Sequence, residues 1–152
     1  MNTFSRSLFA ALAALVASTA VSMAAAEMTV YKTPWCGCCH AWAEAVEKAG
    51  YQVSRVDLED LSAIRKQAGV PADMEGCHVA AVNGYFLEGH VPLEAVGKLL
   101  SERPQVVGLA VPGMPQGSLG MGDETSAAYE VYAVPRDTSE APSVFYKAST
   151  QK

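Results

Sequence analysis

The chain has 152 residues, a net charge of −5 at neutral pH and four cysteines. Acidic residues outnumber basic ones and neither sign forms a long run, which excludes nucleic acid and an anionic membrane surface as partners. The length is enough to bury a core without disulfide staples, so the cysteines need not be structural.

The first segment sets the compartment. Met1 to Arg6 carries one basic residue, Leu8 to Ala17 is apolar, and Ala24-Ala25-Ala26 offers a small-x-small cleavage site before Glu27. Residues 1–26 therefore read as a secretory signal peptide, too short in its apolar core for a membrane helix. Residues 27–152 are expected to form a single soluble domain, with no membrane association after cleavage.

Met28 to Tyr31 predicts a short strand stopped by Thr33-Pro34, and Cys39 to Ala49 a helix with Trp42, Ala45, Val46 and Ala49 at helical spacing, closed by Gly50. Tyr51 to Val56 alternates as a second strand. Asp60 then starts a helix that carries Leu61, Ile64 and Ala68 and ends at Gly69. His78 to Val82 and Tyr85 to Leu87 flank Asn83-Gly84, a hairpin turn in which both residues tolerate positive φ. Pro92 fits a first helical turn, and Leu93, Val96, Leu99 and Leu100 mark a helix ending by Pro104. The order over 28–103 is βαβαββα, an α/β fold of three layers around a mixed sheet, which is the thioredoxin-like order.

Beyond it, Val106 to Gly122 is rich in glycine, proline and methionine and is expected to wrap over the domain as a loop. Tyr129 to Val134 and Ser143 to Tyr146 are expected as edge strands or a hairpin.

The stretch Trp35-Cys-Gly-Cys-Cys-His40 lies where the first strand hands over to a helix. Cys36 and Cys39 have CxxC spacing at a helix start, whose free N–H groups favour thiolate over thiol. That suits both redox and metal chemistry. Cys38 favours metal, because a third thiol beside a reactive pair competes in disulfide exchange. Adjacent Cys38 and Cys39 fit poorly on one tetrahedral zinc ion, which leaves zinc as the weaker alternative. Cu(I) is soft and accepts thiolates that bridge ions, so neighbouring cysteines can serve different metals of one cluster, and several copper ions would balance the thiolate charge. Cys77, in Gly76-Cys77-His78, falls in the loop that faces the CxxC turn in this strand order, where disulfide catalysts keep a cis-proline.

The blocks VYKTPWCGCCHAW, GVPADMEGCHVAAVNGYFLEGHVP and ERPQVVGLAVPGMPQGSLGM together resemble an exported bacterial family long catalogued as a domain of unknown function and linked to copper resistance as CopG-like proteins. Leu119 departs from the family's last block, where proline is expected. The resemblance implies a periplasmic, thioredoxin-like domain that binds copper through Cys36, Cys38, Cys39 and Cys77, in copper handling or copper redox change. Its partners would be copper ions and other periplasmic copper-handling or redox proteins.

The remaining candidates are weighed beside simpler roles. His78 is either a second support or ligand at Cys77 or a strand residue held by the backbone. Met114 and Met121 offer soft thioether ligands in a loop where methionine also fills gaps. His40 reads as solvent-facing, with a thiolate-stabilising or outer metal contact as its alternative, and His90 as a helix cap or loop-orienting residue, with a metal-ligand role as its alternative. Trp35 is expected to shield the site and Trp42 to pack the first helix, with Met28 and Met74 as core or surface residues. Two other function classes stay open: a thiol–disulfide oxidoreductase using Cys36 as nucleophile and Cys39 as resolving thiol, and a structural module whose cysteines pair in disulfides.

Overall fold

The structure, a computed structural model, describes residues 26–122 and 127–149. The expected signal segment lies, apart from Ala26, outside the described residues. Among the described residues no helix is long and apolar enough to cross a membrane.

Among the described residues seven strands and three α-helices follow in the order β1 (Glu27–Lys32), α1 (Gly37–Lys48), β2 (Gln52–Asp57), α2 (Ser62–Ala68), β3 (Val79–Val82), β4 (Tyr85–Glu88), α3 (Leu93–Glu102), β5 (Val106–Ala110), β6 (Ala128–Pro135) and β7 (Ser143–Ser149). The α/β class and the βαβαββα order are as expected. Turn chemistry explains the boundaries. Asn83 and Gly84 both take positive φ, at 47° and 81°, in the β3–β4 turn. Gly69 closes α2 in the left-handed region, and Asp60 Oδ1 accepts the Ser62 N–H at 2.9 Å as the chain enters it. Pro92 sits one residue ahead of α3 rather than in its first turn.

One mixed sheet runs in the order β2-β1-β3-β4-β5-β6-β7. Strands β1 and β2 are parallel, β3 is antiparallel to β1 and to β4, and β4 and β5 are parallel. Alternation along the strands sorts side chains to two faces. On one, Val30, Ala80, Leu87, Leu109 and Val131 meet Trp42 and Val46 of α1 and Val96 and Leu99 of α3. On the other, Val79, Phe86, Ala110 and Val134 meet Ile64 and Ala68 of α2. These are the three layers.

The loop expected over 106–122 is corrected in its first third. Val106–Ala110 is an inner strand, with Leu109 and Ala110 fully buried. Gly108 explains why a glycine-containing run pairs there: a Cβ would stand 2.3 Å from the Phe86 carbonyl oxygen, so only glycine admits this close approach to β4. The expected hairpin forms from β6 and β7, but only β7 is an edge, since β6 pairs with β5 on its other side.

Candidate metal and thiol site

Strand polarity gathers the site. The chain leaves β1 at Lys32, enters β3 at Val79, leaves β4 at Glu88 and leaves β5 at Ala110, and the pairings Tyr31↔Val79, Val79↔Glu88 and Glu88↔Ala110 put all four ends side by side. The segments that follow or precede them carry Cys36, Cys77, His90 and the loop over 111–122.

Cys36 caps α1: its Sγ accepts the Cys39 N–H at 3.3 Å. Cys36 and Cys39 are joined in a disulfide, and Cys38 and Cys77 are free thiols. One of the two pairings that a disulfide-bonded module would need is therefore present, and Cys38 and Cys77 do not form the other. Cys38 Sγ lies 3.5 Å from Cys36 Sγ and 3.9 Å from Cys77 Sγ, and Cys39 Sγ lies 3.5 Å from the Cys77 carbonyl oxygen. All four sulfurs fall within 4.8 Å of one another.

A buried ion pair fixes Cys77 in place. Glu88, fully buried, accepts the Gly76 N–H at 2.7 Å and the Arg65 guanidinium at 2.8 Å, while Arg65 Nη2 donates to the Gly76 carbonyl at 2.7 Å. Both ends of Gly76 are held one residue before the sulfur. There is no room to shift: a Cβ on Gly76 would stand 2.6 Å from Gly89 Cα, and one on Gly89 would stand 2.4 Å from the Val111 carbonyl oxygen. Burial pushes the Glu88 carboxyl above its ordinary range against the pull of Arg65.

Two histidines stand behind Cys77. His90 Nδ1 lies 2.6 Å from the Leu119 carbonyl and donates to it, so Nε2 presents its lone pair to Cys77 Sγ at 2.7 Å. His78 packs against Trp42 with ring centroids 4.5 Å apart, its Nδ1 lies 3.7 Å from Cys77 Sγ, and its Nε2 has no hydrogen-bond partner among the described residues. Burial lowers both imidazoles, His78 to about 3, so both are neutral near pH 7. Burial and the neighbouring Cys38 push the Cys77 thiol up to about 12, so it stays protonated and hydrogen-bonded to His90. The trio Cys77, His78 and His90 forms a second cluster of metal-competent atoms sharing Cys77 with the first.

The glycine-rich loop closes the site from above. A Cβ on Gly120 would meet Trp42 N at 2.7 Å and Cys38 O at 2.8 Å, so the loop lies directly across the step from the first to the next turn of α1.

The structure brings together Cys36, Cys38, Cys39, Cys77 and His78. Met114 is 58% exposed, and Met121 follows Gly120, which packs on α1. Trp42 is buried as expected, with its indole N–H on the Val91 carbonyl at 2.9 Å, whereas Trp35 is 69% exposed and does not cover the site. His40 faces solvent, 3.2 Å from Glu44. His90 is the residue that spacing underrates. Nothing in its local sequence points at Cys77, and only the β3–β4 hairpin, which returns the chain to the start of β3, puts the Glu88-Gly89-His90 turn beside Gly76-Cys77-His78.

The family model described as a protein of unknown function, DUF411, matches residues 74–121. Two solved structures of copper resistance protein CopG, forms 2 and 1, are each 40% identical to this chain. They cover 82% and 81% of it and 98% and 97% of their own chains, with TM-scores of 0.74 and 0.73. The chain belongs to the CopG-like copper-resistance family. Among curated proteins none matches it. The segment matched by the DUF411 model contains Cys77, His78, Glu88, His90 and Gly120, the closed side of the site, and stops short of the three cysteines of α1.

Proposed function

We propose that this chain is an exported, periplasmic copper-binding protein that holds Cu(I) as a multi-copper thiolate cluster on Cys36, Cys38, Cys39 and Cys77. Its role is copper handling or resistance, with exchange of copper or electrons with other periplasmic proteins. Residues 1–26 act as its signal peptide and 27–152 as one thioredoxin-like domain, a reading supported by the β2-β1-β3-β4 order with an antiparallel β3.

The observation that carries this reading is the approach of four cysteine sulfurs to within 4.8 Å from two distant segments. The CopG names of its relatives agree with copper as the cargo. Metal enters the reduced form, because the Cys36–Cys39 disulfide withholds two thiolates. Soft thiolates prefer Cu(I), and zinc is the weaker alternative for so crowded a donor set. His78 and Met121 are further donors within the closed side, with Met114 an outer one. Copper binding releases the Cys77 proton, and His90 Nε2 is the acceptor beside it.

The test is metal analysis of reduced protein purified with copper. More than one copper per chain is expected, with loss of most of it in Cys77→Ser. A copper content near zero, or one that Cys77→Ser leaves unchanged, refutes the reading.

A second reading, thiol–disulfide oxidoreductase, draws on the Cys36–Cys39 disulfide at a helix start. If it is right, Cys38→Ser retains dithiol-oxidation activity and copper binding is weak.

A further inference from the structure

The four sulfurs are not equivalent, and their order in space differs from their order in the chain. The disulfide joins Cys36 to Cys39, Cys38 approaches the Cys36 end of that bond, and Cys77 approaches Cys38. The four atoms form a path Cys39, Cys36, Cys38, Cys77.

We propose that the metal-free site is an internal disulfide relay, in which Cys38 carries the disulfide from Cys36–Cys39 to a new bond between Cys38 and Cys77. In the first step Cys38, having released its proton to water, attacks Cys36 Sγ from 3.5 Å. The Cys36–Cys38 bond forms, the Cys36–Cys39 bond breaks, and Cys39 leaves as a thiolate that takes up a proton. In the second step Cys77 attacks Cys38 Sγ from 3.9 Å, its proton passing to His90 Nε2 at 2.7 Å. The Cys38–Cys77 bond forms and Cys36 leaves as a thiolate, stabilised by the Cys39 N–H that already points at it and by the α1 N-terminus. That thiolate then recovers the proton from His90 through water. One disulfide and two thiols exist before and after, so no outside oxidant or reductant enters.

The consequence is a further thiol activity. Oxidising equivalents that reach the CxxC pair through half-buried Cys36 are passed to the closed side, and Cys36 and Cys39 are returned to the reduced state. The relay concerns the metal-free protein and stands whether or not copper is what the reduced site holds.

Trypsin separates the outcomes, because Cys36, Cys38 and Cys39 share the peptide 33–48 while Cys77 lies in 67–98. The purified protein, freed of metal by chelator and carrying one disulfide, is acid-quenched after incubation, blocked with N-ethylmaleimide at low pH, digested and analysed by mass spectrometry. A disulfide joining 33–48 to 67–98 is expected, falling about tenfold or more in Cys38→Ser and Cys38→Ala while the link within 33–48 persists. No joined peptide in the wild type overturns the relay, as does a joined peptide undiminished in both variants. Should circular dichroism show that the variants do not fold, fragmentation of the wild-type joined peptide decides. Attachment of Cys77 to Cys36 or Cys39 rather than Cys38 overturns the proposal.

Discussion

The two sides of the site are built to opposite rules. On the α1 side the chain is open: Trp35 is 69% exposed, Cys36 and Cys38 are half-buried, and a Cβ on Gly37 would touch nothing within 4 Å. On the Cys77 side His78, Glu88 and His90 are fully buried, and Gly76 and Gly89 leave no space for a side chain. On the open side Cys36 is held in a disulfide with the Cys39 N–H pointing at its sulfur, whereas burial holds Cys77 as a thiol until something takes its proton. A fixed wall thus faces a turn whose sulfurs can change partners.

Breaking the wall has the largest expected effect on stability. Arg65→Met leaves the Glu88 carboxyl buried without its partner and is expected to cost about 3–5 kcal/mol, lowering Tm by roughly 10 °C or more in calorimetry. Glu75→Ala removes only the more exposed 3.4 Å pairing to the same Arg65 and is expected to shift Tm by about 2 °C or less. Equal shifts in the two variants would mean that the clamp on Gly76 does not hold this side together.

Gly120→Ala comes next. Its φ of 86° and the approach to Trp42 N and Cys38 O require the loop to lift from α1, at about 1–3 kcal/mol by the usual cost of overpacking. Copper content measured on the folded variant is expected to fall as well, because the loop carrying Leu119 also orients His90. Retention of wild-type stability would show that the closed side yields more easily than its packing implies.

The elements up to α3 were legible because each carries a local signal: periodicity in α1 and α3, Asn83-Gly84 in the hairpin, Gly69 after α2. Strand β5 was not. Its sequence, Val106 to Ala110, reads into a glycine-rich run, and what makes it a strand is the bare edge of β4 and the room left by Gly108, both tertiary facts. The site divided the same way. Cys36, Cys38 and Cys39 announce themselves by spacing, and Cys77 by its place in the strand order. His90 and the pair Arg65–Glu88 have no local signature, since each acts on Cys77 or Gly76 across a turn that only the folded hairpin closes.

The smallest expected effect tests the open side. Gly37 begins α1, has no neighbour where a Cβ would go and does not take a positive φ. Gly37→Ala therefore removes backbone freedom from the unfolded chain without strain in the folded one, and is expected to stabilise by about 0.4–1 kcal/mol. Copper content is expected to stay unchanged, since the added methyl faces solvent between Cys36 and Cys38. The same substitution at Gly120, against the next turn of the same helix, is expected to act in the opposite direction. If Gly37→Ala instead destabilises the protein or empties the site, the turn is held as tightly as the wall it faces, and the contrast between the two sides fails.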